Sequence, residues 1–377
     1  MKELVHDEAR DVFLMIQNCA TIVTSEALAS HAKWPFVTIP HFEVRGREMN
    51  ELSNTLMLGF SPLVPNEDKN GWLVYSNHQQ GWIQEGIEYS ADLHYEAPVD
   101  VQPIPQVLHT ETSIDNSTGP YLPIWQQSPA PYNTQAVNLN LFSNEVFARV
   151  FHGMQETMHP VLSEATDLEF FYGGSIRDEV NHPHSFLLQP VFQDFNETNR
   201  DASHVKGVVV AILPWDHYYE NILPPEAHGI VVVMRDTCGG EFSYQVNGKH
   251  VEFLGYGDFH DPSYAHLEES TEFLPFERLN FSDTHDHCEY NTYIFPSVEL
   301  ESDYRTGKPI IYSVLVVMVF AVTAGVFFLY DLLVTIRQQR VMLAAKKSKY
   351  FFMHRRAPFS PVHDKYQAHS IVFCFVF

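Results

Sequence analysis

Twenty-one consecutive residues, Ile310–Tyr330 (IIYSVLVVMVFAVTAGVFFLY), carry no charge. Wound as an α-helix, such a run is about 31 Å long, close to the hydrocarbon thickness of a bilayer. A helix apolar on every side must be buried in a core or placed in lipid, and the flanks choose lipid. Arg337, Arg340, Lys346, Lys347, Lys349, Arg355 and Arg356 follow the run, whereas only Arg305 and Lys308 stand close before it. An excess of basic residues on one side marks that side as cytoplasmic. The sequence therefore predicts a plasma-membrane protein with residues 1–308 outside the cell, a single span at 309–330 and a basic cytoplasmic tail at 331–377. Pro309 suits the first turn of the spanning helix, where its missing N–H costs little.

The two sides differ sharply in charge. Residues 1–308 hold 15 Lys and Arg against 45 Asp and Glu, and residues 331–377 hold 8 against 2. So acidic a body repels nucleic acid and anionic lipid, which argues against a nucleic-acid partner. Its length suffices to bury a large core. The sequons at Asn116, Asn196 and Asn280 all precede the span, where glycosylation would place them on the outer side. Of the four cysteines, Cys19 falls in an N-terminal helix and Cys374 in the tail. An oxidising exterior favours a Cys238–Cys288 disulfide, two free buried thiols being the alternative. The N-terminal MKELVHDEARDVFLMIQN has no apolar core of the signal-peptide kind. Either the late span acts as the anchor, or the protein begins upstream.

Along the chain, residues 2–32 read as one amphipathic helix, with Val5, Ala9, Val12, Ile16, Ala20, Val23 and Ala27 at spacings of three and four. Trp34-Pro35 ends it. Such a helix serves either as a stalk that pairs with a partner subunit or as ordinary packing on the following domain. A second helix is expected over 48–58, and another from Trp72 to Gly81. The proline-rich stretch 97–134 reads as loop. Phe142 to Ala165 reads as helix, with Ser143 as N-cap and Pro160 shortening it. Then the period changes. His184–Phe192, Lys206–Leu213, Gly229–Arg235, Glu241–Val246 and Asn291–Val298 are β-branched or alternating runs, and Asn247-Gly248 is a turn signal. Helices before and between antiparallel strands give an α+β fold. Beyond the span, Leu333, Ile336 and Leu343 suggest a short coiled coil.

Several blocks, in order, resemble one family. They include Trp34-Pro-Phe-Val-Thr-Ile-Pro-His-Phe-Glu, Tyr121-Leu-Pro-Ile-Trp-Gln-Gln-Ser-Pro-Ala-Pro and Ile212-Leu-Pro-Trp-Asp-His-Tyr-Tyr-Glu-Asn-Ile-Leu-Pro. Arg235-Asp-Thr-Cys-Gly, Tyr244-Gln-Val-Asn-Gly, Leu254-Gly-Tyr-Gly-Asp-Phe-His-Asp-Pro and Phe327-Phe-Leu-Tyr-Asp-Leu-Leu-Val continue the series. Together, over about residues 30–348, the chain resembles the receptor-type adenylate/guanylate cyclases of diatoms and related algae. The resemblance implies a stalk helix over 1–33, a CHASE-like extracellular sensor with PAS-like antiparallel sheets over 34–305, and a membrane helix. The partners it implies are the membrane, an extracellular small-molecule ligand, and a second copy or a full-length cyclase. That family also has a membrane helix before the stalk and a cyclase domain after Ser348. Neither occurs in these residues, so a truncated gene model or a cyclase-less paralogue is implied. The chain as it stands is expected to make no cyclic nucleotide, since its cytoplasmic part offers only Asp331 and Asp364 to hold the metals of that reaction.

The body has no GxSxG, HExxH, Walker A or CxxC pattern. Trp215, Asp216 and Tyr218 are the candidate ligand-binding residues, because aromatics beside a carboxylate suit a small-molecule pocket. The plainer reading puts Trp215 in the core and makes Asp216 an N-cap. Asp258, His260, Asp261 and His266 form the best metal-like cluster, with Asp283, His285, Asp286 and His287 second. An extracellular metal-dependent hydrolase at the first cluster is therefore the alternative function, and a purely structural membrane glycoprotein a third. Neither cluster has a recognised ligand spacing, no metal or other cofactor is assigned, and acidic surface loops account for both.

Overall fold

The computed structural model describes residues 2–92, 103–110, 112–130, 134–166, 182–196, 201–220, 224, 228–273, 288–304 and 308–353. The chain divides into two units, Met1–Tyr304 and Arg305–Phe377.

Unit 1 is α+β, built on two five-stranded antiparallel sheets. The first contains β1 (Met57–Pro62), β2 (Gln126–Ser128), β3 (Val161–Leu162), β4 (His184–Phe192) and β5 (Val205–Pro214), in the order β2-β1-β5-β4-β3. The second contains β6 (Ile230–Asp236), β7 (Glu241–Asn247), β8 (His250–Tyr256), β9 (Glu269–Phe273) and β10 (Tyr290–Pro296), in the order β8-β7-β6-β10-β9. Strands β4 and β5 pair in register with Leu188 opposite Val210. Both are largely apolar along their length because both of their faces are covered. Leu187, Val191, Val209, Ala211 and Leu213 join the core that holds helix α1 (Lys2–Ala29). The alternate residues Phe186, Leu188, Val208, Val210 and Ile212 meet Phe147, Val150, Phe151 and Met154 of a helix on the other face.

Helix α1 packs on β4 and β5 of the first sheet and on β9 of the second. Its stripe Ala9, Val12, Phe13, Ile16, Cys19, Ala20, Val23 and Ala27 is buried. Of the two roles open to that stripe, the structure shows packing on its own domain. Thr24 donates to the carbonyl of Phe192 at 3.1 Å, and the rings of Phe13 and Phe273 lie 6.0 Å apart.

The helix expected over 48–58 is replaced by two elements. Helix α2 (Phe42–Ser53) stops at Asn54, whose left-handed φ of 50° caps it, and β1 follows. Helices α3 (Lys69–His78) and α4 (Gly81–Asp92) occupy the region expected to start one helix at Trp72. Helix α5 (Glu145–Thr157) is capped by Asn144, not Ser143: the Asn144 side chain accepts from the N–H groups of Val146 and Phe147. It ends before Pro160, and Val161 passes into β3. A short helix, α6 (Trp215–Glu220), follows β5, and α7 (Val298–Tyr304) follows β10. In unit 2, helix α8 (Lys308–Met353) runs for 46 residues.

Among the described residues, two helices are long and apolar enough to cross a membrane, Glu8–Ala29 and Ile310–Lys349. The first lies within α1 and has the buried face just described. The second has a mean hydropathy of 2.5 and no buried residue in its apolar window.

Candidate functional site

The family-like block Trp215–Glu220 forms α6 where the two sheets meet. The chain leaves β5 of the first sheet there, and α6 packs on β7 and β8 of the second. The three candidate residues point two ways. Trp215 and Tyr218 turn into the core and are fully buried. The Trp215 ring lies 4.7 Å from Tyr290, 5.0 Å from Phe273 and 5.7 Å from Tyr218. Burial drives the Tyr218 hydroxyl well above its ordinary pKa, with Tyr219 and Glu8 adding to the effect. Asp216 instead meets His182, whose Nδ1 is 2.9 Å from its Oδ2, while Oδ1 accepts from the His217 N–H. Asp216 therefore sits inside the first turn of α6 and is not its N-cap.

A buried polar chain runs from Trp215 across the sheet boundary. Trp215 Nε1 donates to Ser185 Oγ at 2.9 Å, and Ser185 Oγ lies 2.8 Å from the Tyr290 hydroxyl. That hydroxyl donates to the carbonyl of Ser163 at 2.8 Å, and Ser163 Oγ accepts from Phe186 N–H. Ser185 and Ser163 belong to the first sheet's side and Tyr290 to the second, so four groups tie β3, β4, the start of α6 and β10 together. Buried polar groups linked this way specify one arrangement of the elements they join, because breaking one link orphans its neighbour. Burial, first, and then the charges of Asp236 and Glu164 push the Tyr290 hydroxyl well up, so it stays a donor.

Beside this chain, His182 lies between Asp216 and the Phe253 ring, 5.3 Å away. The neighbouring His184 is buried, and desolvation depresses its pKa against the favourable influence of the His182 carbonyl and Asp216. The Tyr244 hydroxyl is buried and has no hydrogen-bond partner among the described residues, and Asp216 is close enough to raise its pKa further after burial. Trp34 and Phe42 are core or core-packing residues. Ser163, Ser185 and His182 were not visible as site residues in the sequence. Ser185 interrupts an apolar strand run, which is the one signal that could have marked it.

The first metal-like cluster is not assembled as a ligand set. The Asp258 carboxylate takes Arg235 Nη2 at 2.7 Å and the His260 ring, which stacks flat on Phe295 at 4.0 Å. Burial works against ionisation of Asp258, but the hydrogen bonds from His260 and the nearby Arg235 hold its pKa low. Asp261 caps the turn Pro262–Leu267 through Ser263, and His266 is exposed within that turn. Asp283, His285, Asp286 and His287 lie outside the described residues, as does the sequon at Asn280. Asn116 and Asn196 are exposed. The Cys238–Cys288 disulfide is present. Cys19 is a free, buried thiol whose pKa burial pushes up to about 12, so it is inert.

Two antiparallel sheets locked by a buried polar chain, followed by an apolar helix with no buried face, define the class: an α+β protein carrying candidate membrane-spanning helices. No known family model matches the chain, and no curated protein matches it.

Proposed function

We propose that the chain is the sensing and membrane portion of a receptor of the receptor-type guanylate or adenylate cyclase kind. In this reading, unit 1 is a CHASE-like domain with PAS-like sheets outside the plasma membrane. It takes an extracellular small molecule, α8 crosses the bilayer once, and the basic residues after Asp331 lie in the cytoplasm. Signalling proceeds through a second copy or a full-length cyclase, and the 377 residues supply no cyclase chemistry of their own. The observation that carries the reading is the apolar helix Ile310–Lys349 with none of its apolar window buried, next in sequence to a folded acidic unit. The family-like blocks support it, as does the packing of one long helix on both sheets. A ligand acts only by binding two states of the receptor unequally.

The test is a thermal-shift screen of the full chain in lipid nanodiscs against amines, hormones and nutrients. A ligand that raises the midpoint in the native chain and loses that effect in Asp216→Asn supports the reading. A domain that binds nothing across a broad screen overturns the sensing role and leaves a structural one.

A further inference from the structure

Cys238 is exposed in the turn joining β6 to β7, and Cys288 is buried two residues before β10. Their Cα atoms lie 5.6 Å apart. The backbone beside both is held by hydrogen bonds that do not need the disulfide. Thr237 N–H donates to the carbonyl of Glu289 at 3.0 Å, and Glu289 N–H donates to Thr237 Oγ1 at 3.0 Å. Cys288 N–H donates to the carbonyl of Leu162, at the end of β3, at 3.1 Å. A third group joins them: a carboxylate oxygen of Glu164 lies within 4.8 Å of both sulfurs. Among the described residues no other trio of His, Cys, Asp or Glu brings its ligand atoms so close. Arg149 Nη2, 2.7 Å from Glu164, balances part of that carboxylate's charge.

We infer that reduction of the Cys238–Cys288 disulfide converts this corner into a binding site for a thiophilic divalent cation, of which zinc is the type, held by Glu164, Cys238 and Cys288. Two thiolates and a carboxylate are a donor set that zinc accepts, and three protein ligands leave a fourth position for water. The electrons come from a dithiol. Its first thiolate attacks the exposed partner, Cys238, and the S–S bond breaks. Its second thiolate resolves the mixed disulfide, and the dithiol leaves oxidised. The two protons of the dithiol end on the Cys238 and Cys288 sulfurs, and cation binding then releases both to solvent, because the thiolate is the ligand. Cys238 is the exposed member of the pair, so it is the one a dithiol meets first. The site lies where Cys288 touches the end of β3, so the cation would pin the same junction of the two sheets that the disulfide pins. The inference is independent of the proposed receptor role.

Cobalt is the probe, since thiolate ligation gives it a charge-transfer absorption that carboxylates do not. The full chain is purified in nanodiscs and compared before and after reduction by a phosphine that does not bind the metal, with circular dichroism recorded throughout. The expected result is one cobalt per chain with the thiolate band, seen only after reduction and displaced by zinc. Cys288→Ser should abolish the band, and Glu164→Gln should weaken binding by about tenfold or more while keeping it. Four results would overturn the inference: no band in the reduced chain, a band that persists in Cys288→Ser through the remaining thiols, unchanged affinity in Glu164→Gln, or loss of the fold on reduction alone.

Discussion

At the scale of single residues, Trp215 does two kinds of work that substitution separates. Its ring fills the core among Tyr218, Phe242, Phe273 and Tyr290, and its N–H starts the polar chain at Ser185. Trp215→Ala removes both and should cost roughly 3–5 kcal/mol, the range for deleting a large buried aromatic. Trp215→Phe keeps most of the packing and removes one hydrogen bond, for about 1 kcal/mol plus a partly vacated indole space. Thermal midpoints of the full chain, read by circular dichroism, rank the two. Equal losses would mean that the hydrogen bond outweighs the ring.

His184 makes the second residue-scale prediction, on pH. Its folded pKa lies below the ordinary 6.5 because burial disfavours the imidazolium. Between the folded and unfolded values the unfolded chain therefore binds more protons, so stability rises with pH in that window. The contribution is fully present above about 6.5 and is lost as pH falls toward the depressed folded value. Asp201, Asp258 and Asp261, whose pKa values are lowered from an ordinary 3.8, act in a more acidic window. Glu8 and Glu43, raised by burial from 4.5, act with the opposite sign. The contrast with a variant isolates the histidine: the drop in thermal midpoint between pH 7.5 and pH 5.5 should be smaller in His184→Asn than in the native chain. An unchanged drop would assign the effect to another group.

Among the elements, the approach of α2 to β2 is set by glycine. A Cβ on Gly46 of α2 would stand 2.5 Å from the Ser128 Cβ on β2, well inside contact distance. Alanine there gains about 1 kcal/mol of helix propensity but must push α2 away from the sheet edge, an overpacking cost of about 1–3 kcal/mol. Overpacking should win, because Asn50 of the same helix donates to the Ser128 carbonyl at 2.8 Å and would be pulled from it. Chemical denaturation of Gly46→Ala should show a net loss, and a gain would mean that α2 slides freely on β2. The sheet strands show why some elements were legible and others were not. β4, β5, β6 and β7 are β-branched or alternating runs bounded by turn residues, and β7 passes to β8 through the Asn247-Gly248 signal, with Gly248 at a φ of 61°. β8 and β9 escaped because they are edge strands, His-Val-Glu-Phe-Leu-Gly-Tyr and Glu-Ser-Thr-Glu-Phe, the first broken by a charged residue and a glycine and the second short and mostly polar. β1 escaped because Leu56, Met57 and Leu58 continue a spacing of apolar residues that also fits a helix, and only Asn54 in the left-handed region breaks it. The candidate site was half legible: the aromatic block was visible, but the polar chain joins Ser163, Ser185 and Tyr290 across 127 positions of sequence, a separation that no local pattern records.

For the whole molecule, the proposed orientation can be decided by chemistry that works on one side of the membrane only. The acidic body and the basic tail are opposite in charge, and in the proposed orientation the tail would lie within reach of an anionic inner leaflet, where basic residues near the surface each contribute about 1 kcal/mol of attraction. The body would be repelled from the same surface. N-glycosylation needs the sequon outside the cytoplasm and accessible, and Asn116 and Asn196 are both exposed on unit 1. Expressed in eukaryotic cells, the chain should therefore lose apparent mass on treatment with an N-glycosidase. Asn116→Gln and Asn196→Gln should each remove one step of that shift. A tag placed after Phe377 should be cut by protease only in permeabilised cells. If the tag is cut in intact cells, or no sequon in unit 1 is used, α8 is oriented the other way or does not cross, and the sensing role outside the cell falls with it. The charge argument makes the outcome sensitive to one set of residues. Replacing Arg337, Arg340, Lys346, Lys347 and Lys349 by glutamine removes the cytoplasmic bias, and the fraction of glycosylated chains should then fall relative to the native sequence.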